Sequence, residues 1–257
     1  MTIDLRKVSR GKVKAGKRVL IYGSEGVGKT TFSAGAGRVR FFDLERGSGE
    51  IAVDWRVTPE TWPDLLEWID AMVDGKVDGD FDSLVFDSAT KLESMLHRHL
   101  VPSGLIEDFG EGNNKGYGRG DTASLNEFRL LLERLERLCS AGKNIIFTAH
   151  QQVKKFEDPA GPGWERYELA LRPRLAGALK QWVGYTLFAQ RETTITKIGG
   201  KAKGTSTGLH FVFTRWSAAY DAKARGEIPI PEQLPMSWSE FVLAVDNADA
   251  RAAEMRK

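Results

Sequence analysis

Apolar residues fall in short, nearly unbroken runs along much of the chain: RVLIY (18–22), RVRFFDL (38–44), SLVFD (83–87), NIIFTAH (144–150), GYTLFAQ (184–190) and LHFVFT (209–214). Runs that skip the polar alternation of a half-exposed strand are those buried on both faces, the habit of parallel sheets. Between them, apolar residues recur at helical spacing after Gly28, from Pro63 to Met72, after Asp87 and from Ser124 to Cys139. The alternation predicts an α/β fold, a mostly parallel sheet with helices on both faces. The last strands follow one another through short connections, which predicts an antiparallel C-terminal extension.

Two stretches interrupt this pattern, Ile106 to Asp121 and Gln152 to Arg174, each mixing glycine, charge and aromatic residues without a regular period. Irregular segments of that length inside a compact domain are functional loops or disordered ones. From Ile228 a proline-rich connector leads into a terminal helix. The expected organisation is therefore a basic arm over 1–18, an α/β core over 19–227, and a connector with its helix over 228–257.

Composition narrows the class. With 257 residues the chain suits one sizeable α/β domain. It has no apolar run long enough for a membrane span, and its polar, basic N-terminus has no apolar signal core, so the expectation is a cytoplasmic protein with no membrane partner. The one cysteine, Cys139, excludes an internal disulfide and a multi-cysteine zinc module, and it falls in step with Leu125, Phe128, Leu132 and Leu135 as a core thiol. Net charge is only +2, yet the first eighteen residues hold seven Lys or Arg against one Asp. Such an arm suits nucleic acid or an acidic neighbouring subunit, and equally a solvated tail.

The strongest motif joins the first strand to the first helix. Gly23-Ser24-Glu25-Gly26-Val27-Gly28-Lys29-Thr30 fits G-x-x-x-x-G-K-[ST], and Thr31 follows it. Backbone N–H groups converge on phosphate oxygens only where no side chain obstructs them, hence the glycines, and the start of the helix adds positive character. Lys29 is expected to reach the β- and γ-phosphates of ATP and the Thr30 hydroxyl to ligate Mg2+.

A phosphate cradle alone hydrolyses nothing. Asp87, ending SLVFD, is the expected Mg2+-side carboxylate, with Ser88 and Thr90 as its supporting partners. Glu45 leaves the C-terminal end of the second strand, where open α/β sheets place ligands, and is the expected base that aims or deprotonates water; Asp43 competes for that role. His97 and His99 stand two apart on a helix and face different ways, which argues against a metal pair.

Taken in order, GSEGVGKT, FFDLE, LVFDS and IIFTAHQ resemble the motor core of the RecA-like recombinases, and within them the phage proteins of the fourth Sak group of single-strand annealing proteins; GYGRG and SAAYDAKARGEIP extend the likeness over residues 17–241. The resemblance implies a RecA-like P-loop NTPase core that hydrolyses ATP with Mg2+, Glu45 as the catalytic glutamate, and His150 as the residue that senses the γ-phosphate and signals to the following loop. It places the two long loops where the family binds single-stranded DNA. Lys115, Tyr117 and Arg119 in the first, and Lys154, Lys155, Phe156, Trp164, Arg166 and Tyr167 in the second, offer the cations and flat rings that such a ligand needs. It also implies a homo-oligomer, filament or ring, in which Lys223 and Arg225 of DAKARGE reach the neighbouring subunit's nucleotide, with Arg215 as a rival, and it allows a single-strand-coating protein as a further partner. No helix-hairpin-helix, zinc cluster or large DNA-gathering domain accompanies the core. A non-DNA P-loop ATPase or small-molecule kinase, an ATP-gated scaffold and a hexameric helicase core stay open as alternatives.

Overall fold

A computed structural model describes residues 15–101, 119–158, 161–198 and 201–256, with the side chains of 195–198 and 201–203 outside that description. In chain order the elements are β1 (Arg18–Gly23), α1 (Lys29–Ala34), β2 (Val39–Asp43), β3 (Trp55–Val57), α2 (Trp62–Val73), β4 (Ser83–Asp87), α3 (Ala89–Leu100), α4 (Arg119–Ser140), β5 (Asn144–Phe156), β6 (Trp164–Leu169), α5 (Pro173–Trp182), β7 (Tyr185–Ile198), β8 (Lys201–Phe213), β9 (Lys223–Ala224), β10 (Gln233–Pro235) and α6 (Trp238–Glu254).

The strands line up as β3-β2-β4-β5-β1-β7-β8-β10, parallel from β3 through β7 and antiparallel beyond it. This is the predicted architecture: a mostly parallel α/β sheet with an antiparallel extension. Alternation within each strand divides the core between two faces. Leu20 and Tyr22 of β1 join Phe42, Phe86 and Phe147 under α2, α3, α4 and α5. Val19 and Ile21 join Phe41, Val85 and Ile146 under α1 and α6, where Phe32 packs between Trp238 and Phe241. Burial on both faces is why these strands read as unbroken apolar runs. Helix starts follow local chemistry: the Thr61 hydroxyl accepts from the Asp64 N–H to cap α2, the Ser88 hydroxyl caps α3, and Pro173 opens α5.

Both loop expectations change. Gln152 to Arg174 is not irregular: β5 continues through Phe156, turns, and returns as β6, with Gln151 opposite Leu169 and Phe156 opposite Trp164, and α5 begins at Pro173. Val, Phe, Trp and Tyr in this segment favour an extended ribbon, and Lys155 lies opposite Glu165, so charges that suggested a loop face each other across strands. In the first interruption, Arg119 and Asp121 belong to the opening turn of α4, while Lys115 and Tyr117 lie outside the described residues, as does the arm over 1–14. Finally, β7 and β8 run far beyond their apolar portions to form a long antiparallel arm, whose Thr- and Lys-rich outer half carries no core signal.

Candidate nucleotide site

Parallel strands deliver their last residues to one edge of the sheet. Gly23 pairs in register with His150, and Asp43 with Asp87, so the ends of β1, β2 and β4 and the middle of β5 form a continuous rim beneath the P-loop. The glycines are demanded by geometry. A Cβ on Gly23 would lie 2.3 Å from the Ala189 carbonyl oxygen of β7. Gly26 and Gly28 hold φ of 64° and 103°, the left-handed region that side-chain-bearing residues avoid. The N–H groups of Gly26, Val27 and Gly28 have no acceptor among the described residues, which leaves them to an anion. Because α1 is only six residues long, the loop amides contribute more here than a helix dipole.

Lys29 is buried and folds back on the loop, donating from Nζ to the carbonyls of Gly23 at 3.1 Å and Ser24 at 2.7 Å. Burial lowers its pKa, opposed by the nearby carboxylates of Asp87, Glu45 and Glu25. An ammonium held by two neutral carbonyls in a partly dry site gains by meeting phosphate oxygens.

Asp87 lies beside it. The Thr30 hydroxyl donates to Asp87 Oδ2 at 2.8 Å, and the Thr148 hydroxyl donates to Oδ1. Burial raises the Asp87 pKa, and the two hydroxyl bonds oppose that rise. Hard oxygen donors of this kind fit Mg2+, and Thr30 with Asp87 would hold it. No cluster of three or more His, Cys, Asp or Glu side chains among the described residues could bind a metal alone, so further ligands would come from phosphate and water. Ser88 and Thr90, expected beside Asp87, serve its neighbours instead: the Ser88 hydroxyl donates to Glu45 Oε1, and Thr90 Oγ1 accepts from the His150 N–H at 3.2 Å.

Glu45 Oε1 also lies 2.8 Å from His150 Nε2. Asp43, its competitor, is 3% exposed and has both oxygens engaged by Gly47 N–H, Ser48 N–H and the Ser48 hydroxyl. It closes the turn after β2. Glu45 keeps about a third of its side chain exposed, at 32%.

The remaining candidates are scattered. Lys223 and Arg225 sit at the opposite end of β7, where Lys223 pairs with Thr186, and they donate to the Lys180 and Gln181 carbonyls at the C-terminus of α5. Neither reaches the P-loop of its own chain. Arg215 donates to the Ile230 carbonyl at 3.1 Å. Lys154, Lys155 and Phe156 are exposed on the outer part of β5, and the Phe156 ring lies 4.8 Å from Trp164. Arg166, expected as a surface cation, is 5% exposed, pairs with Glu168 at 3.0 Å and lies under the rings of Phe156 and Trp216. Tyr167 stacks on Phe188 in the core. Sequence reasoning missed Thr148, Arg191 and Trp216. Thr148 was legible as the polar residue interrupting IIFTAH; Arg191 and Trp216 are brought in by strand pairing that leaves no local signature.

A family model described as an AAA domain, AAA_24, matches residues 15–226. No curated protein matches the chain. Among solved structures it is similar to the flagellar accessory protein FlaH from Methanocaldococcus jannaschii, at 13% identity over 84% of this chain and 92% of that chain, with a TM-score of 0.33. With the P-loop, Asp87 and Glu45 all inside the matched span, the chain belongs to the AAA domain family and is a P-loop ATPase.

Proposed function

We propose that this ATPase binds single-stranded DNA in a nucleotide-dependent manner, assembles head to tail on it, and promotes annealing or recombination, with a single-strand-coating protein as a further partner. The observation that carries the reading is β5 itself. One continuous strand holds Thr148 against Asp87, His150 against Glu45, and Lys154 to Phe156 on an exposed surface. Phe156 stands six residues beyond His150, about 20 Å at the rise of a strand. A change in the Glu45–His150 pair is therefore transmitted along a single backbone to the outer ribbon.

That ribbon has suitable chemistry. Lys154 and Lys155 supply cations without a carboxylate salt bridge among the described residues, and they line a cleft of about 230 Å3 against α5 together with Phe156. Phe156, 38% exposed, and Trp216, 58% exposed, offer ring surface beside the Arg166 guanidinium. Cations track phosphates and rings stack on bases without regard to sequence. The sequence resemblance to phage single-strand annealing proteins supports the same ligand.

In the reaction, Glu45 accepts a proton from the attacking water, His150 and Ser88 fix its carboxylate, and Lys29 neutralises phosphate charge. Mg2+, held by Thr30 and Asp87, supplies charge neutralisation on the phosphates when bound. Lys223 and Arg225, remote from their own site, would act on the nucleotide of a neighbouring subunit. The test is ATP turnover and strand binding with and without single-stranded DNA: turnover rises on adding the strand, and affinity for the strand rises with MgATP. No nucleotide-dependent affinity at modest salt overturns the DNA reading.

A further inference from the structure

Arg191 stands two residues beyond Ala189, the point where β7 passes Gly23 of the P-loop. Its Nη2 donates to the Glu25 carbonyl at 3.2 Å, and a Cβ placed on Gly26 would lie 2.8 Å from the same nitrogen. The guanidinium thus rests on the Glu25–Gly26 segment, and its charge acts on the Lys29 ammonium. The regular β7–β8 register breaks between Arg191 and Thr193, the kind of irregularity that re-aims a side chain. Opposite Arg191, His210 places Nδ1 3.7 Å from the Cβ position of Gly28, so both strands of the arm abut the loop's glycines.

A single neutral carbonyl is a weak partner for an exposed guanidinium. Phosphate oxygens accept from arginine in charge-assisted, often bidentate bonds of about twice the strength. The surroundings of Lys29 carry three carboxylates, Asp87, Glu45 and Glu25, against Arg191 as the other nearby cation. A triphosphate added there increases the demand for positive charge beside the loop, and Arg191 meets it from the same chain, whereas Lys223 and Arg225 are tied to α5 at the far end of β7.

We propose that Arg191 is a cis-acting catalytic arginine of this ATPase, whose guanidinium exchanges the Glu25 carbonyl for a terminal phosphate oxygen of the bound triphosphate. The proposal rests on the P-loop holding the nucleotide. It is tested by titrating MgATP and MgADP into wild type, Arg191→Ala, Arg191→Lys and Lys29→Ala, with steady-state ATP turnover measured on each. Arg191→Ala is expected to weaken MgATP binding about tenfold, leave MgADP binding within about twofold, and lower turnover by about 100-fold or more. Arg191→Lys keeps the charge and recovers part of the ATP affinity without recovering turnover. Equal weakening of both nucleotides overturns the proposal, since it marks a residue that only braces the loop; so does unchanged ATP preference with unchanged turnover. Failure of the wild type to bind either nucleotide overturns the P-loop assignment itself, and this proposal with it.

Discussion

Glu45 and His150 touch, Oε1 to Nε2 at 2.8 Å, although their strands are not neighbours. Glu45 follows β2, His150 lies on β5, and β4 runs between them. Two strand spacings amount to about 9.6 Å, so the pair closes over the end of β4, directly above Ser88, whose hydroxyl donates to the same Glu45 oxygen. The carboxylate proposed to aim water is thereby connected to the strand that forms the outer ribbon.

Replacing Glu45 with Gln keeps the size of the side chain and its capacity for hydrogen bonds but removes the proton acceptor. ATP turnover is expected to fall by about 10²- to 10⁴-fold, while MgATP affinity changes by less than about threefold. Steady-state phosphate release and a nucleotide titration check both. Full turnover in Glu45→Gln would return the role to another group, although Asp43 has both its oxygens engaged.

On the ribbon, charge and stacking separate experimentally. Trp216→Ala is expected to weaken binding of a short oligothymidine by about 1–3 kcal/mol, the cost of one stacked base. The Lys154→Glu, Lys155→Glu pair should flatten the salt dependence of binding by about 0.7 in log–log slope for each phosphate no longer neutralised. Fluorescence anisotropy at several salt concentrations measures both. Arg166→Ala should behave differently and lower the thermal midpoint, because that side chain is buried under Phe156 and Trp216.

His97 gives a stability profile with a defined sign. Burial, reinforced by Arg172 and opposed by Asp121, holds its imidazole down at about 4, against 6.5 for an ordinary histidine. Between those values the unfolded chain carries the extra proton. The contribution of this site to stability is therefore complete above about pH 6.5 and is lost as pH falls toward 4. Urea midpoints of wild type and His97→Asn across this range should differ in slope, wild type losing stability faster on acidification. Parallel profiles would contradict the assignment, since carboxylates common to both chains cancel in the difference.

Much of the nucleotide site was legible because its residues end apolar strands or belong to one contiguous loop. Gly23 to Thr30, Glu45, Asp87 and His150 are each adjacent in sequence to a run that identifies its own strand, and parallel pairing brings those ends together. What sequence concealed depends on pairing between distant segments. The long ribbon of β5 and β6 was hidden because Lys155 and Glu165 resemble loop residues until they face each other. Arg191 reaches the P-loop only through the register of β7 with β1. The support of Glu45 by Ser88, and of Asp87 by Thr148, inverts the partners that adjacency suggests. Arg166 and Tyr167 looked like surface groups because alternation in a two-stranded ribbon does not reveal which face meets the core.

Lys29 is expected to leave the Gly23 and Ser24 carbonyls for the phosphates of a nucleotide. Isothermal calorimetry of MgATP against wild type and Lys29→Ala tests this most directly. Saturable heat at a stoichiometry of about one with the wild type, abolished in a Lys29→Ala chain that retains its fold by circular dichroism, is the predicted result. Absence of heat with the wild type, or equal affinity in both chains, would contradict it.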